Sequence, residues 1–265
     1  GWQRALRYLA AMALMAVPPF GILGWAHPLT AAGVLFPGWG WFGLAAMTTS
    51  LTVVTTRLRP VAAAALVGFW LWSAAYWTAP TVPPSWVPVD LHLGASLGRT
   101  SALARHRDLA AKARASASTR GDTLVLPESA LGFLTPTVER LWQRELIGTG
   151  LTIVAGAAVV TDTGYDNVVV AVSEAKSFVI YRARMPVPGS MWQPWLPLFG
   201  GSGGARAHFF ANPVVDVAEA RAAPLICYEQ LIAWPILQSM LHDPDLIIAI
   251  GNGWWTSGTS IVDIQ

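Results

Sequence analysis

The spacing of apolar and charged positions divides the chain into two parts. Residues 1–89 contain four charged side chains, all arginine, whereas all fifteen acidic residues lie from Asp90 onward. A long, nearly uncharged stretch before a mixed one is typical of a membrane region that precedes a globular domain. The pattern therefore predicts a transmembrane region over residues 1–80, a stiff Pro-rich linker over 81–88 and a globular domain over 89–265.

Three apolar runs in the first part have lengths that suit membrane-spanning helices. We predict spans over about residues 6–24, 40–56 and 61–78. The first run also fits a signal peptide, but the two runs after it favour a multi-pass anchor in the lipid bilayer. One arginine pair precedes the first span and another separates the second from the third, at Arg4, Arg7, Arg57 and Arg59. Because basic loops stay in the cytoplasm, the globular domain is expected on the periplasmic side of a bacterial inner membrane.

The second part alternates between strand-like and helix-like patterns. Strands are predicted over residues 89–94, 123–126, 151–161, 167–173, 178–182, 224–226 and 246–250. Helices are predicted over residues 101–118, 137–147 and 230–241. This order indicates a layered α/β domain whose functional residues lie at the ends of strands.

Composition excludes several classes of function. The net charge is +2, and no basic stripe with interleaved aromatic residues is present, so direct nucleic-acid binding is not predicted. A single cysteine excludes an internal disulfide and a multi-cysteine metal site, and the five histidines are scattered. We therefore expect neither a metal nor a cofactor.

The candidate chemistry lies at two strand ends. Cys227 follows an apolar strand in the segment Ile-Cys-Tyr-Glu, and Glu128 follows another in Leu-Pro-Glu-Ser. A thiol needs a base to become a nucleophile, and a carboxylate in an apolar pocket has the raised pKa for that task. The alternatives are a buried core thiol for Cys227, a helix N-terminal carboxylate for Glu128, and a surface or capping role for Glu229.

These segments, with Tyr181 to Pro188 between them, resemble the nitrilase (carbon–nitrogen hydrolase) superfamily, which works through a Glu-Lys-Cys triad. The chain is most similar to the membrane-embedded branch, which includes apolipoprotein N-acyltransferase and conjugal transfer proteins. The resemblance implies an α-β-β-α sandwich with Glu128 as general base and Cys227 as nucleophile. It also implies that Glu229 supports the site and that the backbone N–H near Tyr228 binds the oxyanion.

The chain departs from that family at the lysine. Alignment on Tyr181 and Pro188 puts Ala183 where the lysine belongs. Arg184, or Arg182, could bring a guanidinium to the oxyanion if the backbone bulges by one residue, although arginine cannot shuttle a proton as lysine does. Solvated charges at the strand end are the favoured interpretation of both arginines. The family fold continues beyond the point where this sequence stops, so we expect the sandwich to be incomplete at its C-terminal side.

Two functions therefore remain open. One is an amide hydrolase or acyltransferase that forms an acyl-cysteine intermediate, as Glu128 and Cys227 favour. The other is a non-catalytic membrane component of a conjugative transfer apparatus that keeps the fold without the lysine, as Ala183 favours. A set of tryptophans would line an acyl-chain cleft in the first case, although core or membrane-dipping positions are favoured for them: Trp192, Trp195, Trp234, Trp254 and Trp255.

Overall fold

The computed structural model describes residues 1–23, 27–77, 81–91, 103–118 and 121–253. The chain divides into two compact units. The first, called here the helical unit, comprises Gly1–Thr81 together with Leu231–Trp234. The second, called here the sandwich unit, comprises Val82–Gln230 and Pro235–Gln265.

The described residues of the helical unit form four α-helices and two short 3-10 turns. The helices are α1 (Trp2–Met15), α2 (Ala32–Leu35), α3 (Gly40–Val54) and α4 (Arg59–Ala75), and the turns are Phe20–Ile22 and Pro28–Ala31. α3 and α4 are mostly apolar on every side, which explains why the sequence pattern resembled membrane spans. The unit leaves many large apolar side chains exposed, among them Phe42, Val61 and Trp72.

The structure does not support the three predicted transmembrane spans. The run over 6–24 forms a helix that ends at Met15, because Pro18 and Pro19 cannot continue it. The other two runs form α3 and α4, the longer of which has 17 residues. Within the described ranges, no helix combines the length and the apolar character needed to cross a bilayer. Residues 24–26 and Thr78, at the ends of two predicted spans, lie outside the described residues.

Among the described residues, the first sheet of the sandwich unit has five strands in sequential order. They are β1 (Trp86–Pro88), β2 (Thr123–Val125), β3 (Thr152–Thr161), β4 (Gly164–Val172) and β5 (Ser177–Arg182). β1, β2 and β3 are parallel, and β3, β4 and β5 form an antiparallel meander. β1 occupies part of the segment predicted as a linker. Its one proline, Pro88, is tolerated because β1 is an edge strand. Of the strand predicted over 89–94, residues 89–91 do not form a strand, and residues 92–94 lie outside the described residues.

In the part of the chain that the structure describes, the second sheet has three strands, β6 (Val215–Val217), β7 (Ala220–Ile226) and β8 (Leu246–Ile250). β7 is antiparallel to β6 and parallel to β8. The sequence after β7 forms a 3-10 helix over Cys227–Leu231 and then the helix α7 (Ala233–Met240), so the helix predicted over 230–241 is confirmed with shifted bounds.

Two apolar layers hold the sandwich unit together. One lies between the first sheet and the helices α5 (Leu103–Ser116) and α6 (Pro136–Glu145), where Trp142 is completely buried and donates from Nε1 to Nδ1 of His106. The other lies between the two sheets and includes Val154, Val169 and Ile226. This arrangement places the ends of β2, β5 and β7 around one buried region, which contains the candidate site.

Candidate active site

Cys227 lies where the chain leaves β7 and turns sharply into a 3-10 helix. Its backbone φ is 49°, in the left-handed region that costs a non-glycine residue about 1–2 kcal/mol. Because β7 and β8 are parallel, both end at the same edge, and a Cβ on Gly251 would stand 4.0 Å from Cα of Cys227. The strained turn therefore presents the thiol at the carboxyl edge of the small sheet, next to the segment that follows β8.

Glu128 follows β2, and its backbone presses against β3. A Cβ atom on Gly156 would stand 2.6 Å from Cα of Glu128 and 2.8 Å from the backbone nitrogen of Ser129, so only glycine allows this approach. Asn167, on β4, donates from Nδ2 to Oε1 of Glu128 at 2.8 Å. These contacts fix a buried carboxylate in one position.

The structure brings Glu128 and Cys227 together as a hydrogen-bonded pair. Burial raises the pKa of Glu128, although hydrogen bonds from Asn167 and Cys227 oppose the rise. Burial and the adjacent Glu128 charge raise the pKa of the Cys227 thiol above its usual value, against the backbone N–H groups of Tyr228 and Asn252. Burial thus disfavours the charged form of both side chains, and the hydrogen bond couples the thiol proton to the Glu128 carboxyl. The catalytic roles of these residues, and that of Tyr228, stay predictions.

Glu229 is completely buried, and every group that bonds to its carboxylate is a hydrogen-bond donor. Oε1 accepts the backbone N–H groups of Arg184 at 2.6 Å and Met185 at 3.0 Å, and Oε2 accepts that of Ile226 at 2.7 Å. The Tyr181 hydroxyl lies 2.8 Å from both oxygens. Burial raises the pKa of Glu229, and the Arg184 charge and these donors oppose the rise. The carboxylate thus ties the segment after β5 to the last residue of β7, so a surface role is excluded.

Arg184 is fully buried, so the interpretation of this residue as a solvated strand-end charge is wrong. A guanidinium has five N–H donors, and all five are bonded here. The partners are Tyr181 Oη at 3.0 Å, Pro235 O at 3.0 Å, Gln238 Oε1 at 2.9 Å, Pro224 O at 3.5 Å and Ser239 Oγ at 3.0 Å. No donor is left to act as the lysine substitute, and Arg184 instead serves as the buried counter-ion of Glu229.

Ala183 packs in the same buried layer as Cys227 and Tyr181, as expected for the position of the family lysine. The two lysines of the chain are engaged elsewhere. Lys112 pairs with Asp108 at 2.9 Å on the exposed side of α5, and Lys176 lies over the ring of Phe178 at 5.2 Å. Neither lysine of the chain therefore takes part in this buried layer.

A second polar cluster surrounds Asp166, which lies next to Asn167 on β4 and, by strand alternation, on the opposite face of the sheet. Arg182, Arg206 and His208 all bond to this buried carboxylate, at 2.6–3.1 Å. Burial raises the pKa of Asp166, but the hydrogen bonds and charges of Arg206 and His208 outweigh it and lower the pKa to about 2. Arg182 is partly exposed, with 41% of its side chain accessible, and its Nε binds the buried Asp166.

Sequence reasoning missed three supporting residues. Asn167 lies on β4, far from Glu128 in the sequence, and only the structure shows that its amide holds Glu128. Nothing in the sequence connected Tyr181 with Glu229 or Gly156 with the loop of Glu128. Among the tryptophans, Trp234 is buried, Trp192 packs edge-on against Phe209, and Trp195 is exposed. Trp254 and Trp255 lie outside the described residues.

Residues 2–265 match the carbon–nitrogen hydrolase family, and the chain belongs to this family. The α/β sandwich predicted from the sequence is thereby confirmed.

Within the family, the chain is similar to conjugal transfer proteins named TraB. It is 62% identical over 265 residues to the conjugal transfer protein TraB of Agrobacterium fabrum, which covers 100% of this chain and 63% of that protein. It is 62% identical over 262 residues to the probable conjugal transfer protein TraB of Sinorhizobium fredii, covering 99% and 68%. The chain thus spans about two thirds of the length of these relatives. XC1258 of Xanthomonas campestris, a CN-hydrolase superfamily protein, matches with a TM-score of 0.34 and 14% identity over 56% of this chain and 58% of that one.

Proposed function

We propose that this chain is part of a membrane-associated enzyme that cleaves or transfers an acyl group through an acyl-Cys227 intermediate, and that it serves conjugal transfer. The hydrogen bond between the Cys227 thiol and the Glu128 carboxylate carries the proposal. It joins a nucleophile to a base in a buried site of a chain that belongs to the carbon–nitrogen hydrolase family.

The proposed reaction has two steps. Glu128 takes the thiol proton while the sulfur of Cys227 attacks the carbonyl carbon of an amide or ester. The developing oxyanion accepts a hydrogen bond from the backbone N–H of Tyr228. Collapse breaks the bond to the amine or alcohol, which leaves with the proton from Glu128. A water or an acceptor amine then attacks the thioester with Glu128 as base, which restores the thiol.

Membrane association is proposed for the helical unit. Its surface exposes many large aliphatic and aromatic side chains, whose contact with water is unfavourable. Examples are Trp2, Leu6, Phe20, Phe42, Leu58, Val61, Trp70, Trp72 and Tyr76. The periplasmic placement of the sandwich unit stays a prediction from the arginine pairs, and the conjugation apparatus is a proposed partner that the TraB relatives suggest.

The acyl-enzyme can be trapped directly. We expect the full chain, purified in detergent and treated with a p-nitrophenyl acyl ester, to gain the mass of one acyl group at Cys227 in a burst of nitrophenolate. Cys227→Ala, which removes only the sulfur, should show neither the burst nor the adduct. An unmodified Cys227 after prolonged exposure to esters of short and long chains would contradict the enzyme.

The second candidate function, a non-catalytic membrane component of the transfer apparatus, is favoured by one observation. Ala183 occupies the place of the family lysine, and the neighbouring Arg184 has no donor to replace it.

Ala183→Lys tests whether only the oxyanion cation is missing. Because one oxyanion donor contributes on the order of 10²-fold, we expect Ala183→Lys to increase the rate of Cys227 acylation by about that factor. Ala183→Met has a side chain of similar length without charge and controls for the added volume. If neither the parent chain nor Ala183→Lys forms an adduct, and both remain folded, the scaffold function is the better one.

A further inference from the structure

We infer that the sandwich unit has its own membrane contact, formed by an uncharged loop over residues 192–204 and by the basic groups at its base. The loop over residues 192–204 is called here the apolar loop. It belongs to the sandwich unit. The inference rests on the proposed membrane association for its setting, but every residue that carries it belongs to the sandwich unit.

The apolar loop is a closed structure with fixed ends. Its neck is fastened by the backbone N–H of Ala205, which donates to Met191 O at 2.7 Å, and that of Tyr165, which donates to Gly204 O at 3.0 Å. Glycine makes this closure possible, because a Cβ on Gly164 would stand 2.2 Å from Gly204 O. A loop with adjoining ends and a short 3-10 helix (Leu196–Phe199) at its tip is an Ω-loop.

The tip presents apolar groups to solvent. Leu198 and Phe199 are each 82% exposed, and Trp195 is 42% exposed. No Asp, Glu, Lys, Arg or His occurs between Met185 and Ala205. A wholly uncharged tip with exposed aliphatic and aromatic side chains indicates a surface that another apolar phase covers.

The base of the loop is basic. The backbone N–H of Arg206 donates to Tyr165 O at the neck, and its side chain shares Asp166 with Arg182 and His208. Asp166 binds Nε of Arg182 and Nε and Nη2 of Arg206. Nη1 of Arg206 and the terminal nitrogens of Arg182 donate to no group in the described part of the chain. One carboxylate thus orients two guanidinium groups whose free N–H donors suit phosphate.

This combination favours a lipid surface as the occupant. Tryptophan and aliphatic groups partition into the interface between headgroups and acyl chains, and arginines at that depth bind lipid phosphates. The affinity of such contacts increases with both the buried apolar area and the anionic lipid content. An apolar tip above two oriented guanidinium groups provides both terms in one short segment.

A single-cysteine probe tests the inference, since Cys227 is the only cysteine. Leu198→Cys in a Cys227→Ala background is labelled with an environment-sensitive nitrobenzoxadiazole group. The full chain is then reconstituted into vesicles of phosphatidylcholine, with or without phosphatidylglycerol. We expect a blue shift, a several-fold gain of emission and quenching by acyl-chain spin labels. Leu241→Cys, an equally exposed position on the sandwich unit, is the matched control and should keep the emission of a hydrated probe.

The basic groups are tested in the same assay. Arg206→Gln should reduce the additional gain that phosphatidylglycerol produces at Leu198 and leave the emission in pure phosphatidylcholine nearly unchanged. A probe at Leu198 that stays hydrated while the chain floats with the vesicles would overturn the inference and leave the membrane association of the helical unit standing. An emission gain that requires a second copy of the chain and occurs without lipid would also overturn the inference. It would indicate a protein contact at the loop. Acyl trapping in detergent reports on the enzyme independently of either outcome.

Discussion

Replacing Glu128 with Gln is expected to slow acylation of Cys227 by about 10²–10⁴-fold, the usual contribution of a general base. Gln keeps the shape of the side chain and can still accept the amide of Asn167, but it cannot take the thiol proton. The rate is measured from the burst of nitrophenolate and from the mass of the adduct. Glu219→Gln, at an exposed carboxylate on the turn between β6 and β7, is the control and should leave the rate unchanged.

The pH dependence gives this prediction a second signature. Burial raises the pKa of Glu128 above 4.5, so the parent rate should increase as the pH rises through that raised value, where the base becomes ionised. Glu128→Gln should lose this increase and react only in the alkaline range, where the thiol ionises without help. A parent profile that coincides with that of Glu128→Gln would show that the two side chains are not coupled.

The same shift makes a statement about stability. Because the folded pKa of Glu128 is raised, folding favours the protonated carboxyl. The corresponding stability is present below the unfolded pKa and is lost as the pH rises through the folded pKa. Glu128→Gln stays neutral at every pH, so it should be at least as stable as the parent near neutrality while being far less active. This separation of stability from activity is expected of a base buried for chemistry.

Replacing Glu229 with Ala is expected to destabilise the fold by about 3–5 kcal/mol, the range for leaving a buried charge uncompensated. The loss leaves the Arg184 guanidinium buried without its counter-ion and three backbone N–H groups without an acceptor. The free energy of unfolding is measured by urea titration followed by tryptophan fluorescence. Glu219→Ala, at an exposed site, controls for the loss of a carboxylate and should change the stability by less than about 0.5 kcal/mol.

A double-mutant cycle shows whether Glu229 and Arg184 act as one unit. Arg184→Met alone should destabilise strongly because it leaves a buried carboxylate, whereas Arg184→Met combined with Glu229→Ala should cost less than the sum of the two single changes. Additive losses would mean that each residue is held by its other hydrogen bonds and that their charges are not coupled. The cycle also tests whether Arg184 is a positioning residue. If Arg184 bound the oxyanion directly, Arg184→Met would slow acylation without a stability coupling to Glu229.

Much of the sandwich unit followed from sequence pattern. Alternation and turn residues predicted β3, β4 and β5 with nearly the observed bounds, and β8 with the observed bounds, because antiparallel pairing and strand burial are encoded locally. The prediction of membrane spans is not supported, because the pattern in that part of the chain carries no such local information. A uniformly apolar run of 15 or 17 residues has no period that distinguishes a short helix with an apolar surface from part of a span, and the prolines after α1 ended the first run early.

The sequence by itself determined which groups bring chemistry to this protein. It contains one thiol, a carboxylate after a predicted strand, and an alanine at the family lysine position, and these identities do not depend on the fold. Only the tertiary structure decided how they are used. Glu128 and Cys227 are 99 positions apart and come from different sheets, so their hydrogen bond exists only after the two sheets pack. The sequence pattern predicts that Arg184 is solvated, whereas the structure buries it. Burial is possible because its five N–H donors find partners on elements that the linear sequence cannot place together.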